Sequence, residues 1–202
     1  MLTVSPITLV GDFVRLEPLS QSHVPDLTKM ALDADIWRYL LYPIVGTEDQ
    51  MRAWVEDILS RQAKGADLPF AVIHLETGRA VGATRYLEIR PEHRALEIGG
   101  TWYGVAYQRT VVNTECKYLL LRNAFEQLGC VRVQFKTDLR NVRSQKALER
   151  IGAVQEGILR NHMITPDGYV RDSVYYSIIE AEWPTIKSRL EQKMIGSIAN
   201  LK

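Results

Sequence analysis

The segment 95–128 constrains this chain most. Residues 95–103 (ALEIGGTWY) read as a strand. A short polar turn, Gly104 to Thr110, leads into a helical pattern that opens near Asn113 and runs to about Leu128. Leu121, Ala124, Phe125 and Leu128 fall at i, i+3, i+4 and i+7, one helix face, and Gly129 ends the pattern. A strand feeding a helix through so short a turn needs a sheet for the helix to cover. It also leaves the first-turn N–H groups pointing outward, where the helix dipole adds about half a positive charge. Gln108, Arg109 and Thr110 could add side-chain donors to phosphate oxygens. Many α/β domains contain such a connection without a ligand, so both readings stand at this level. No Walker or dinucleotide glycine pattern accompanies it, which gives ATP and NAD no support.

The rest of the chain supplies the sheet. Residues 13–17 alternate as a strand. Ser22 is a candidate cap for a helix containing Leu27, Met30 and Ala31, and Thr47 with Gln50 forms a capping-box pattern ahead of a helix through Trp54 and Ile58. Residues 70–75 and 79–87 read as a hairpin about Glu76-Thr77-Gly78, and 130–136 as another strand. Residues 141–151 read as a short helix stopped by Gly152. Two last strands flank Pro166-Asp167-Gly168, and a final helix begins near Trp183-Pro184. The order β-α-α-β-β-β-α-β-α-β-β-α calls for a mixed α/β fold, one mixed sheet covered by helices. The 202 residues contain no repeat, low-complexity tract or linker, which favours a single domain over 1–202, with a core at about 10–190 and a tail after 194.

Composition narrows the function classes. A formal charge of +1 gives no long-range field to gather nucleic acid or a membrane surface. The N-terminal residues lack the pattern of a signal peptide, and no apolar run approaches the ~20 residues of a membrane span. Cys116 and Cys130 have no zinc-type spacing and make no disulfide framework, so no metal is expected and the expected setting is a reduced cytoplasm. After the 130–136 strand comes Asn141-Val142-Arg143-Ser144. Asn141 is a good N-cap and Ser144 then lies in the first helical turn; capping alone accounts for both.

Several stretches together resemble the GCN5-related N-acetyltransferase (GNAT) superfamily, and within it the RimJ/RimL-like group of ribosomal-protein N-terminal acetyltransferases. They are Val14-Arg15-Leu16-Glu17-Pro18-Leu19, Glu97-Ile98-Gly99-Gly100-Thr101-Trp102, the run QRTVVNTECK from Gln108 to Lys117, Asn141 to Leu148, Gly152 to Gly157 and Arg171 to Ser177. The resemblance covers residues 10–190 and implies a splayed mixed sheet of about seven strands flanked by helices. Acetyl-CoA would lie in the V between two parallel strands. Its pantetheine arm would run along Trp102, Tyr103 and Gly104, and its pyrophosphate would sit on the turn Gln108, Arg109, Thr110, Val111, Val112 and Asn113. Asn141 would reach the pantetheine and Ser144 would lie near the thiol. The implied acceptor is a primary amine, on a peptide or protein N-terminus or a small molecule; the oligomeric state, homodimer included, stays open. A CoA-binding module without catalysis and a ribosome-associated interaction protein are the alternatives.

One departure concerns the phosphate turn, usually Gln/Arg-x-x-Gly-x-Gly/Ala in this superfamily. Val111 and Asn113 stand at its two small positions. A β-branched residue resists positive φ, so Val111 is expected at negative φ in an early first helical turn. The chemistry implied needs a neutral amine, hence a base. Glu97, at the start of the cofactor strand, is the first candidate, with a solvated strand residue as the alternative. Ser144 could protonate the departing thiol. Glu88 and Asp172 are candidate substrate contacts or surface ion-pair partners. His93 and His162 fall near loop or strand ends, His74 lies in an apolar run, and His23 reads as a solvated helix residue.

Overall fold

The computed structural model describes residues 2–199. Its strands are β1 (Leu9–Val10), β2 (Val14–Pro18), β3 (Leu68–His74), β4 (Arg79–Arg90), β5 (Ala95–Tyr103), β6 (Arg132–Asp138), β7 (Val154–Ile164) and β8 (Val170–Ile179). Its helices are α1 (Val24–Met30), α2 (Glu48–Ala63), α3 (Val111–Arg122), α4 (Val142–Ile151) and α5 (Trp183–Ala199). The strands form one sheet of eight in the order β1-β2-β3-β4-β5-β6-β8-β7. Every neighbour is antiparallel except β5 and β6. The count exceeds the expected seven by β1, whose two residues are too few to show an alternation.

Helices cover the sheet on both faces. On one, Val24, Leu27, Met51, Trp54 and Ile58 of α1 and α2 pack on Ala71, Ile73, Ala80, Ala83 and Trp102 of β3, β4 and β5. On the other, α3, α4 and α5 pack on a larger core that includes Phe70, Tyr86, Ile98, Phe135, Val174 and Tyr176. The strands β6, β7 and β8 contribute nothing to the first core. That half of the first face is left to polar side chains.

The local signals act largely where the sequence places them. Thr47 and Gln50 close the capping box of α2, Gln50 N donating to Thr47 Oγ1 at 3.2 Å and Thr47 N to Gln50 Oε1 at 3.1 Å. Gly152 ends α4 at φ 99°, a left-handed cap that a Cβ would disfavour. Ser22 is not a cap. A 3₁₀ turn, Gln21–His23, precedes α1, and Ser20 stands before it with its N–H on His23 Nδ1 at 3.0 Å. His23 is accordingly no solvated residue, since its other ring nitrogen meets Glu17 at 2.9 Å. The helix after β5 begins at Val111, and its expected last turns form a π-helical segment, Asn123–Gln127. The Tyr86 hydroxyl donates to Leu120 O at 2.6 Å and receives Asn123 Nδ2 at 3.2 Å, side-chain bonds that accompany the widened turn. Cys130 N closes that turn on Ala124 O, so β6 starts at Arg132, two residues later than its pattern suggests. At the other end of the chain α5 continues through residues 195–199, where a tail was expected; residues 200–202 of that tail lie outside the described residues.

A buried carboxylate ties α3 to the N-terminal strands. Glu115 is 2% exposed. It accepts N–H bonds from Asp12, Phe13 and Val14 at 2.8, 2.7 and 2.7 Å. Gly11 is required beside it, because a Cβ there would stand 2.4 Å from the Glu115 carboxyl carbon.

Candidate active site

The two parallel strands pair over only three positions, Ala95–Glu97 with Arg132–Gln134. Beyond Glu97 they diverge. A bulge in β5 turns its outer half: Ala83 faces Trp102 but Arg85 faces Gly99, and Gly100 takes φ +57°. The side of β5 that faces β6 is thus left without a partner strand. The resulting cleft has a volume of about 1050 Å³, between Gly99–Tyr103 on one wall and Phe135–Thr137 with Asn141–Ser144 on the other.

Glu97 sits at the root of the V, 2% exposed. Gln134 Nε2 donates to its Oε2 at 3.0 Å, and Lys136 Nζ stands 3.7 Å away. Burial raises its pKa above the ordinary glutamate value, with Lys136 and Gln134 opposing. It is no solvated strand residue.

The turn between β5 and α3 is built by its own side chains. Gln108 donates to Tyr103 O at 3.0 Å and receives Arg143 Nη1 of α4 at 2.9 Å, so it joins the two walls. Thr110 caps α3: its Oγ1 accepts Val112 N at 3.3 Å and donates to Tyr107 O at 2.8 Å. Val111 is the first residue of α3 and has negative φ, as expected; the left-handed residue of this turn is Arg109, at φ +62°. Gln108, Arg109 and Asn113 line the cleft. Val112 is buried in the core and Val111 packs against it, so neither side chain faces the cleft; the Val112 N–H is taken by the Thr110 cap, and the Val111 N–H is left at the helix start. Trp102 and Tyr103 likewise send their side chains away to opposite cores. Trp102 packs tilted against Trp37 and edge-on to Trp54, with centroids 5.3 and 5.8 Å away, and Tyr103 lies against Cys116, its hydroxyl pKa pushed well up by burial. Gly104 is fixed by packing, since a Cβ there would meet Met30 Sδ at 2.7 Å.

On the opposite wall, Asn141 Oδ1 receives Ser144 N at 3.0 Å, the cap of α4. Its Nδ2 and the Ser144 hydroxyl have no hydrogen-bond partner among the described residues, and both residues line the cleft. Of the other candidates, Glu88 lines the cleft at φ 48° in a β4 bulge, whereas Asp172 is committed to Asn161 N at 2.7 Å. His162 meets Ser173 Oγ at 3.0 Å inside β7, and burial with the nearby Lys136 and Arg171 lowers its pKa. His74 packs on Tyr107 and His93 ends an exposed 3₁₀ turn.

Sequence reasoning missed three buried cations in this cleft, Lys117, Arg171 and Arg85. Lys117 is 6% exposed, donates to Thr101 Oγ1 at 2.8 Å and has no carboxylate within ion-pair distance among the described residues. Burial pulls its pKa down to about 8. The signal was its i, i+4 spacing from Asn113, which puts both on one side of α3. Arg171, 3% exposed, gave no sequence signal of burial. Arg85, on the α1/α2 side, is held by Asp67 at 3.2 Å and Tyr42 at 2.9 Å. Nine cationic and four carboxylate side chains line the cleft, so a chain of net charge +1 concentrates its positive charge where a polyanion would enter. A helix N-terminus, an unpaired strand side and this charge fit a ligand with phosphates at one end and amide groups along its length. No group of three or more His, Cys, Asp or Glu among the described residues could hold a metal, and no helix described is long and apolar enough to cross a membrane.

Residues 14–154 match the family model of the acetyltransferase (GNAT) domain. A solved structure described as a "putative acetyltransferase" from T. thermophilus is 41% identical over 95% of this chain and 98% of that one, with a TM-score of 0.86. The "Putative ribosomal N-acetyltransferase YdaF" of Bacillus subtilis (strain 168) is 33% identical over 45% of this chain, which spans about half the length (49%) of that relative. Mycobacterium smegmatis RimJ, solved in complex with CoA-disulfide, shares the fold at a TM-score of 0.80 and 19% identity, over 93% of this chain and 95% of that one. The printed name of the Bacillus subtilis relative agrees with the RimJ/RimL-like resemblance of the sequence. The chain belongs to the acetyltransferase (GNAT) domain family, enzymes that use acetyl-CoA.

Proposed function

We propose that this acetyltransferase moves the acetyl group onto a primary amine, with Glu97 as the base and Ser144 as the acid. The observation that carries this reading is the Glu97 carboxylate at the root of the V, buried and raised in pKa, on the same face as the open polar half of the sheet. A carboxylate with a raised pKa holds a proton from an ammonium better than an ordinary glutamate does. In this reading the N–H groups at the start of α3, with Gln108, Arg109 and Asn113, bind the pyrophosphate of acetyl-CoA. The backbone of Trp102, Tyr103 and Gly104 and the free amide of Asn141 hold the pantetheine. Bound there, acetyl-CoA supplies an activated thioester. Glu97 takes the amine proton, directly or through water, as the C–N bond forms. Ser144 gives its proton to the sulfur as the C–S bond breaks, and solvent returns it. The buried, unpaired Cys116 and Cys130 agree with a reducing compartment such as the cytoplasm.

The test is thiol release from acetyl-CoA against a panel of amines and free-N-terminus peptides. Glu97→Gln and Ser144→Ala should each keep CoA affinity and lower kcat by about 10²–10⁴-fold. Wild-type turnover in Glu97→Gln would remove the base assignment, and absence of release with every amine would remove the transferase reading.

A further inference from the structure

We infer that the Arg171 guanidinium binds a carboxylate carried by the acceptor amine. The inference rests on the amine-acetylation reading above and narrows its substrate class.

Strand alternation fixes which way Arg171 points. Val174, Tyr176 and Ile178 of β8 lie in the core beneath α3 and α5, and so do Val133 and Phe135 of β6 and Leu96 and Ile98 of β5. Their neighbours Arg171, Ser173 and Tyr175, Gln134 and Lys136, and Glu97 therefore share the opposite face. No helix covers that face over β6 and β8, and Arg171, Lys136 and Glu97 all line the cleft. Arg171 donates through Nε to Ser173 Oγ at 3.0 Å and through Nη1 to Tyr39 O at 3.4 Å. Neither acceptor is charged. Among the described residues no carboxylate lies within 4.0 Å of it, and the nearby Asp138 is held by Arg140 at 2.8 Å. A guanidinium has five donors in a fixed fork; those two bonds orient it and leave the rest for a ligand. Burying such a group without a counter-ion is costly, and the cleft's other buried guanidinium, Arg85, has its aspartate. The missing anion fits as part of the substrate. An acceptor with its ammonium toward Glu97 would present a carboxylate to Arg171 on the same face, so a zwitterion supplies the direct ion pair that Asp138 and Glu97, acting on Arg171 from beyond 4.0 Å, do not.

The experiment uses matched amines that differ only in one carboxylate: amino acids against their amides, and free-N-terminus tetrapeptides carrying Asp or Glu against Asn or Gln. Acetyl transfer is read as kcat/KM for wild type, Arg171→Gln and Arg171→Lys, with CoA calorimetry as the check that each variant is folded. For at least one pair the carboxylate member should be favoured by about tenfold or more. Arg171→Gln should bring it down to its amide, Arg171→Lys should restore part of the preference, and KM for acetyl-CoA should not move. Equal rates within every pair, or a preference that survives Arg171→Gln, overturns the inference. If CoA binds but no amine is acetylated, the transferase reading has failed, and titration of the same compounds into the CoA-loaded protein decides the rest. Carboxylate-dependent heat lost in Arg171→Gln upholds the site; no such heat overturns it. If Arg171→Gln does not fold, Arg171→Lys carries the test, and an undiminished carboxylate preference there overturns it.

Discussion

Arg109 combines a positive charge at the mouth of the cleft with a backbone at φ +62°. A Cβ in that region costs about 1–2 kcal/mol. Alanine at 109 would lose the charge and keep the strained backbone; glycine loses the charge and relieves the strain as well. Arg109→Gly should hold or raise stability and weaken CoA, with the loss shrinking at high salt as a charge contact is screened. Calorimetry at low and high ionic strength reads this, and an equal loss at both would mean the side chain acts other than by charge. Lys117 supplies the second test. Its folded pKa, about 8, lies below the ordinary 10.5, so the unfolded chain binds more protons between those values. The burden of its charge is complete below pH 8 and disappears as pH rises through 10.5. Lys117→Met should therefore be the more stable protein at pH 7, by up to about 3 kcal/mol. That advantage should narrow toward pH 10 in denaturant unfolding. A pH-independent gap between the two would show that packing, not ionisation, sets the difference.

Among the elements, α3 has the most to do. Its first turn faces the cleft, Lys117 reaches Thr101 on the bulged strand, and Glu115 holds the N-terminal strands. Glu115→Gln would turn an amide NH₂ toward backbone N–H groups that now meet a carboxylate, leaving at least one unsatisfied. The expected cost is about 1–3 kcal/mol, a fall of several degrees in Tm, with CoA affinity nearly unchanged. An unaltered Tm would show that the strap is not a stabilising contact. The start of α3 was legible two residues late, because Val111 and Val112 give no cap signal and Thr110 does the capping. Its end was not legible, because the π turn depends on Tyr86 of β4.

Across the whole molecule, elements that bury one face announced themselves. β5, with its alternation ended by a turn, came out at its observed bounds, and α4 followed from Asn141 and Gly152. β1 pairs through two residues only, and the β7 bulges about Glu156 and residues 160–162 depend on the register with β8. Glu97, Asn141 and Ser144 could be placed at the V by family likeness, and Gln108 and Thr110 by their position before a helix. That Arg171 and Lys117 have no carboxylate within ion-pair distance among the described residues is a property of the assembled sheet, invisible in any local window. Trp102 and Tyr103 show the converse: adjacent strand residues must face opposite ways, so both side chains could never line one wall. Glu115 carries a last consequence, one of timing. The N–H groups of Asp12, Phe13 and Val14 find their acceptor 103, 102 and 101 residues further along. During synthesis from the N-terminus, those donors must wait in water until more than half the chain has emerged. The first strands of the sheet thus gain this tie only after β3, β4 and β5 have been made.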